Sequence, residues 1–322
     1  MPSPSVTRVS TPTARIALAT CAELPDLDPD DLPLVAALAE RGVSAEPVVW
    51  DDPTVDWGTY PAVLLRSTWD YSDRPQQFAE WIRRVDRTST LLNPAAAVTW
   101  NIDKTYLRAL EGAGLPIVPT IWLDPERQMD SRAIHTRFPA FGDFVIKPTV
   151  SAGSRDTGRY VAGETQSRSL AIMHAKNLLG VGRWVMLQRY LAGVDTVGET
   201  AVVFIDGQLS HSVRKTPALA GPYRKGESDE GPFHREGVQA DATASEAELS
   251  LAQRVVDALP GLVPGVDHPL LYARVDMVPD DQGRPVVLEL EVIEPSLFFA
   301  HGPGAVEAFA DALVARLRPS GA

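Results

Sequence analysis

Apolar and polar positions recur along this chain with two different periods, and each change of period marks an element. In the first third, short apolar runs alternate with segments of helical spacing. Arg15-Ile-Ala-Leu-Ala-Thr, Val43 to Trp50 and Ala62-Val-Leu-Leu-Arg read as strands. Leu32 to Arg41 reads as a helix stopped by Gly42, and Gln76 to Val85 as an amphipathic helix after Pro75. This alternation predicts a βαβ unit with a parallel sheet, whose ligands sit beyond the carboxyl ends of the strands. The loop Arg66-Ser-Thr-Trp-Asp-Tyr follows such a strand. It is either a polar loop with a packed Trp or a place where Arg66 fixes a substrate carboxylate.

The middle of the chain predicts strands at Ile117 to Leu123, Phe144 to Lys147 and Trp184 to Gln188, with a helix from Ser167 to Leu179. Farther on, Val197 to Ile205 and Gln208 to Lys215 form a hairpin about the turn dipeptide Asp206-Gly207. Thr216 to Gly237 is rich in Gly, Pro and charge and reads as a lid or a disordered segment. Ser245 with Glu248 makes a capping box for a helix through Leu259, and Gly304 to Leu317 closes the chain as an amphipathic helix.

One stretch breaks the ordinary alternation. Leu271-Tyr-Ala-Arg-Val-Asp-Met-Val and Val286-Val-Leu-Glu-Leu-Glu-Val read as two strands joined by the turn Asp-Asp-Gln-Gly. Period-two alternation puts Tyr272, Arg274 and Asp276 on one face of the first strand. It puts Val287, Glu289 and Glu291 on one face of the second, with Leu288, Leu290 and Val292 on the other. Carboxylates are costly to bury without a partner, so three of them beside an Arg suggest a hard divalent cation. The bland reading is a solvated strand face.

Composition narrows the function classes. The chain has 322 residues, 44% hydrophobic and 22% charged, which is ordinary for a globular protein with more than one core. A formal net charge of −12 argues against nucleic acid or an anionic membrane as partner. The lone cysteine, Cys21, excludes an internal disulfide and fits a reducing, cytoplasmic setting. No apolar run reaches the length of a membrane span. Residues 1–14, rich in Ser, Thr and Pro without an apolar stretch, read as a disordered tail rather than a secretory signal.

The usual nucleotide and zinc motifs are missing: there is no G-x-x-x-x-G-K-[ST], no G-x-G-x-x-G and no H-E-x-x-H. What remains is coherent. Lys147 closes an apolar strand and supplies a point charge for phosphate, although a lone strand-end Lys is commonly just exposed. Ser151-Ala-Gly-Ser-Arg-Asp-Thr-Gly offers backbone N–H groups that can cradle phosphate oxygens, although most such loops are plain turns. Asp276, Glu289 and Glu291 are hard oxygen donors for Mg²⁺, and Arg274 can stabilise charge on a transferred phosphoryl or an oxyanion. Together they point to phosphoryl transfer from a Mg-nucleotide.

At these residues the chain resembles the ATP-grasp ligases. Phe144-Val-Ile-Lys147-Pro resembles the strand whose Lys contacts the nucleotide phosphates, and Ser151-Ala-Gly-Ser-Arg the loop that closes over them. Asn101-Ile-Asp-Lys104 resembles the helix start bearing the other ATP-binding Lys. Val185-Met-Leu-Gln188-Arg189-Tyr190 resembles the adenine-binding segment, and Gly198-Glu199-Thr the strand start that meets the ribose. Arg274-Val-Asp276 and Glu289-Leu-Glu291 resemble the magnesium pair of strands, with Glu291 and Gln188 departing from the family's usual Asn and acidic residue. Leu65-Arg-Ser-Thr-Trp-Asp-Tyr, Trp100-Asn-Ile-Asp-Lys-Thr-Tyr-Leu and Glu289-Leu-Glu-Val-Ile-Glu-Pro-Ser-Leu are similar to a glutathione-synthetase-like subgroup that includes the cycloserine-forming O-ureido-serine cyclo-ligases.

The resemblance implies an α/β and α+β architecture: an ATP-grasp fold with an N-terminal, Rossmann-like pre-ATP-grasp domain. The parts expected are that domain at 15–114, a small ATP-grasp subdomain at 115–190 and a C-terminal subdomain at 191–322. It implies an ADP-forming carboxylate–amine ligase working through an acyl-phosphate, with ATP and Mg²⁺ as cofactors and an amino-acid-like carboxylate as substrate. Cyclisation of O-ureido-serine to cycloserine is one such reaction. Lys104, Lys147, Ser151, Gly153, Ser154, Gln188, Arg189, Tyr190 and Glu199 would hold the nucleotide, and Asp276, Glu289 and Glu291 the metal. Arg274 would be catalytic, and Arg66, Ser67, Thr68, Arg214, Lys215 and Ser296 are substrate-pocket candidates. Family members are often homodimers. Two other readings stand beside the ligase: a nucleotide-binding regulatory protein of the same fold without turnover, and a metal-dependent hydrolase using the carboxylates alone.

Overall fold

In the computed structural model, residues 14–217, 219, 221, 237–239 and 243–318 are described. The expected tail therefore lies outside them except for Ala14, which opens the first strand, and so does most of the 216–237 segment. The first sheet is parallel, as its βαβ pattern predicts. Its strands β1 (Ala14–Thr20), β2 (Val43–Val49), β3 (Ala62–Ser67) and β4 (Thr90–Leu92) lie in the order β2-β1-β3-β4. Both faces are covered, which is why β1 and β3 read as nearly unbroken apolar runs.

On one face the helix Pro75–Val85 sets Phe78, Trp81, Ile82 and Val85 against Trp50, Val63 and Leu65. Pro75 sits in the first turn of that helix, where its missing N–H costs no hydrogen bond. On the other face the helix Leu32–Glu40 shares a core with the closing helix Ala305–Leu317. Phe309 and Leu313 of the closing helix are fully buried there, each contributing about 1.5–3 kcal/mol. The C-terminal end of the chain thus returns to complete the core of the N-terminal sheet.

The second sheet is antiparallel, with β5 (Thr120–Leu123), β6 (Asp143–Pro148), β7 (Gly158–Val161) and β8 (Val185–Arg189) in the order β5-β8-β6-β7. The helix Thr165–Gly180 packs Ala171, Ala175 and Leu178 onto it. That helix also buries His174, whose Nδ1 lies 2.8 Å from the Tyr160 hydroxyl. Burial pulls the His174 pKa down from 6.5 to about 4. A depressed histidine makes the unfolded chain the better proton acceptor, so stability falls as pH drops from about 6.5 through 4. The expected loss by pH 4 is roughly 3 kcal/mol from this group. Urea unfolding of His174→Gln at pH 7 and pH 5 should show a shallower acid dependence than the wild type; identical slopes would contradict it.

The third sheet has five antiparallel strands, β9 (Glu199–Ile205), β10 (Gln208–Lys215), β11 (Val238–Gln239), β12 (Tyr272–Pro279) and β13 (Pro285–Glu291), in the order β11-β10-β9-β12-β13. Asp206 and Gly207 both have positive φ, as the two-residue hairpin turn requires. The Ser245–Glu248 capping box is present, and its helix, Glu246–Leu262, packs on the back of this sheet.

The carboxylate hairpin departs from strict alternation at one point. Asp276 pairs with Glu289 but Met277 pairs with Val287, so Leu288 is an extra residue, a β-bulge. The bulge reverses the side-chain order upstream of it. Val287 joins Leu290 and Val292 in the core, whereas Leu288 lines the cleft beside Glu289. Val287 thus faces the core and Leu288 the cleft, the reverse of what unbroken period-two alternation predicts.

Candidate active site

A cleft lies where the three sheets meet, and most of the residues singled out above line it. Lys147 ends β6. Lys104 reaches the same place from the turn between the helices Ala95–Asn101 and Tyr106–Gly112. The backbone registers the two lysines: Lys104 N–H donates to Thr149 O at 2.8 Å, and the Thr149 hydroxyl donates to Asp103 Oδ2 at 2.9 Å. Lys104 Nζ then donates to Ser151 O at 2.5 Å and pairs with Glu289 at 2.9 Å. Burial lowers the Lys104 pKa, but the nearby Glu289 charge and hydrogen bond outweigh it and raise the pKa.

Asn101 in the same motif has a structural task. Its amide donates to Leu290 O at 2.9 Å and accepts from Val292 N–H at 3.1 Å, while Tyr106 Oη exchanges hydrogen bonds with Leu290. Asn93, before the helix Ala95–Asn101, does the same work, bridging Tyr272 O, Val292 O and Leu271 N–H. These contacts hold the exit of β13 against the segment that carries Lys104.

Arg274 and three carboxylates form a charge network on the floor. Arg274 donates to both oxygens of Asp276, at 2.9 and 2.8 Å, to Glu291 at 2.5 Å and to Ser296 O at 3.0 Å. Lys215 bridges Asp276, at 2.7 Å, and Glu199. Burial would raise the Asp276 pKa, but Arg274 and Lys215 hold it well below the carboxylate range. Glu199 opens β9 directly after Gly198, whose φ is 87°. A Cβ at Gly198 would sit 2.5 Å from Lys215 O, so only glycine lets β9 and β10 approach here.

The remaining walls come from the loop after β6 and from β8. Ser151, Gly153 and Ser154 line the cleft, with positive φ at Gly153 and Ser154. The loop is tied down by Arg155 to Asp73 at 2.5 Å and by Arg183 to Val150 O at 2.7 Å. Gln188, Arg189 and Tyr190 line the opposite side; Gln188 donates to the Thr120 hydroxyl at 2.8 Å. Tyr190 stacks under the Arg159 guanidinium, 3.6 Å from ring centroid to guanidinium carbon, and Arg159 is itself held by Asp143 and Asp195.

Four candidates are placed elsewhere. Arg66 is 2% exposed, pairs with Asp31 at 2.7 Å and donates to Pro295 O at 2.9 Å. Its Nε and Nη2 thus tie the chain beside the cleft, while Nη1 is buried without a hydrogen-bond partner among the described residues. Ser67 joins the same cluster through its hydroxyl, 3.3 Å from Asp31, and Thr68 is likewise buried away from the cleft. Arg214 follows strand alternation to the side opposite Lys215 and pairs with Glu248 at 3.0 Å. Lys215 and Ser296 do line the cleft. Glu294 and Leu288, which carry no marked site signal in the sequence, line it as well. The repeat of acidic residues in Glu289-Leu-Glu-Val-Ile-Glu was the available signal for Glu294.

Among the described residues no three His, Cys, Asp or Glu side chains converge as a ready-made metal cage. The donor set nevertheless suits Mg²⁺. It is all-carboxylate, and this ion binds through one or two carboxylates plus substrate phosphates rather than through a closed protein cage. Asp276 and Glu289 are cross-strand partners at the cleft floor, and their counter-charges come from Lys215, Arg274 and Lys104.

A cycloserine biosynthesis protein, DcsG, from Streptomyces lavendulae is 35% identical over 315 residues, which is 94% of this chain and 99% of that protein. The chain belongs to the DcsG family of ATP-grasp ligases. The family profile described as the N-terminal domain of D-cycloserine synthetase DcsG matches residues 16–93. The crystal structure of D-cycloserine synthetase DcsG superposes with a TM-score of 0.84 at 34% identity, covering 94% of this chain and all of that one. More distant structures share the fold. A D-alanine–D-alanine ligase from Bacillus anthracis, complexed with ATP, has a TM-score of 0.60 at 14% identity, over 94% of this chain and 97% of that one. The ATP-grasp ligase PsnB with its minimal precursor has a TM-score of 0.58 at 21% identity, over 94% and 99%. The family makes this chain a ligase, an enzyme that forms carbon–nitrogen bonds with ATP. No helix of the described residues is long and apolar enough to cross a membrane.

Proposed function

We propose that this ligase activates a substrate carboxylate with Mg-ATP and closes it onto a nitrogen of the same molecule, converting O-ureido-serine to cycloserine. The observation that carries the nucleotide part is Lys147. Its ammonium is buried in the cleft wall and, among the described residues, forms no ion pair. Burial lowers its pKa, with Lys104 and Lys215 adding to the effect and Glu289 opposing it. A buried cation of this kind is stabilised by an incoming anion. The Ser151–Ser154 backbone beside it is suited to phosphate oxygens.

Lys104 and Lys147 would hold the phosphates, and Gln188, Arg189 and Tyr190 would face the base, with Glu199 toward the ribose. Asp276 and Glu289, with Glu291, would hold magnesium, which supplies charge neutralisation between the phosphates when bound. Arg274 stands at the floor to receive the negative charge that develops on the transferred phosphoryl and then on the tetrahedral oxyanion. The γ-phosphoryl passes to the carboxylate, the nitrogen forms the C–N bond, and phosphate leaves. Cycloserine lacks the carbamoyl group of O-ureido-serine, so a water molecule also cleaves the bond from the ring nitrogen to the carbamoyl carbon, which leaves as carbon dioxide and ammonia. The substrate assignment is supported by the relative whose name carries cycloserine biosynthesis. The three sheets, at 14–92, 120–189 and 199–291, would then be the pre-ATP-grasp domain and the two halves of the nucleotide clamp.

The test is a panel of amino acids, dipeptides and O-ureido-serine, with product identified by mass. The expected outcome is Mg²⁺-dependent release of ADP and phosphate with O-ureido-serine and none with the dipeptides. AMP and pyrophosphate as products would refute the acyl-phosphate route.

A further inference from the structure

The carboxylates that line the cleft fall into two groups. Asp276 pairs with Arg274 and Lys215, Glu199 with Lys215, Glu289 with Lys104, and Glu291 with Arg274. Glu294 also lines the cleft and is 7% exposed, yet no Lys or Arg of the described residues forms an ion pair with it. Its surroundings are supplied by the first sheet. Tyr71 and Trp69 line the cleft with it, and Trp69 Nε1 donates to its main-chain O at 2.9 Å. Arg66, through Pro295 O, fixes the next residue. The segment is thus held in place by its neighbours, while the carboxyl has no ion pair among the described residues.

Among the described residues, the Lys147 ammonium and the Glu294 carboxyl thus line the cleft, buried and without an ion-pair partner. The first suits an anion. We infer that Glu294, flanked by Tyr71 and Trp69, is the subsite that takes up the positively charged amino group of an amino-acid substrate. The inference rests on the ligase reading above and adds to it the feature by which the enzyme would tell an amino acid from a plain carboxylic acid. Burial pushes the Glu294 pKa up to about 8, against the opposing effect of Lys104. A carboxyl group in that state gains most from a cation that enters with the substrate. The amino group is free in both O-ureido-serine and cycloserine, so a residue that binds it throughout takes no part in bond making.

The experiment compares O-ureido-serine with its des-amino counterpart on the wild-type enzyme, then both acids on Glu294→Gln, by ADP release. The wild type should favour the amino acid at least about tenfold in kcat/KM, the worth of one charge-assisted hydrogen bond. E294Q should erase that preference through KM for the acid, while KM for ATP stays put. A wild type that treats the two acids alike overturns the subsite, whether or not the variant folds. If neither acid releases ADP, the substrate assignment fails on its own. Calorimetry of serine against 3-hydroxypropionate, with a non-hydrolysable ATP analogue and Mg²⁺, then decides the subsite: tighter binding of serine supports it, and equal or absent binding of the two overturns it.

Discussion

Replacing Arg274 by Ala should lower kcat by about 10²–10³-fold while ATP still binds within a few-fold of the wild type. Arg274 is 1% exposed, and its guanidinium is aimed by both oxygens of Asp276, one of Glu291 and the carbonyl of Ser296, among other contacts. Side chains held this firmly do not reorganise when charge appears beside them, and that preorganisation is what an oxyanion stabiliser supplies. Removal also strips Asp276 of one of its two cations, and breaking a buried pair costs roughly 3–5 kcal/mol of stability. Arg274→Lys is the companion that separates the two effects. It keeps the charge and loses the two-pronged geometry, so it should fold normally and still lose most of kcat. Single-turnover ADP release, with ATP affinity measured separately, reads both. Undiminished turnover in either variant would remove Arg274 from the chemistry, and a chain that binds ATP without any turnover, wild type included, would revive the regulatory reading.

The second large effect is expected at Lys147. Lys147→Ala should raise the Kd for ATP about 10–100-fold, the range for a charge-assisted contact to phosphate. Its effect on the ligand-free protein should run the other way. Since the ammonium is buried without an ion-pair partner among the described residues, its loss removes a desolvated charge and should leave the melting temperature unchanged or raised. Lys104→Ala provides the contrast. It leaves Glu289 without its 2.9 Å partner and Ser151 O without its donor, and should destabilise the free enzyme as well as weaken ATP binding. Thermal unfolding with and without Mg-ATP distinguishes them. An unchanged Kd in Lys147→Ala would contradict the phosphate role.

Much of the molecule was legible in the order of its residues, for local reasons. The strands β1, β3, β6 and β12 are apolar runs with turn signals at their ends, and the Asp206-Gly207 hairpin and the Ser245 capping box are short-range chemistry that needs no distant partner. Lys147, Asp276 and Glu289 stood out as charges ending or interrupting apolar strands, whereas Lys104 stood out only through the resemblance of Asn101-Ile-Asp-Lys104 to the family's helix start. What misled the reading was also local. Period-two counting assumes an unbroken ladder, and one extra residue at Leu288 transfers Val287 to the core. Arg66 beside a parallel strand end has the same sequence signature whether it faces a ligand or Asp31.

Sequence alone therefore determined the elements, the turn chemistry and the set of ionisable groups, since these follow from period, propensity and composition within a few residues. Which ionisable groups are already neutralised was settled only by tertiary structure, because each pairing joins positions far apart in the chain. Lys104 meets Glu289 and Arg66 meets Asp31 across different elements, whereas Lys147 and Glu294 reach the cleft without such partners among the described residues. A charge's role depends on whether its field is spent inside the protein or left for a ligand, and that balance exists only once the three sheets have come together.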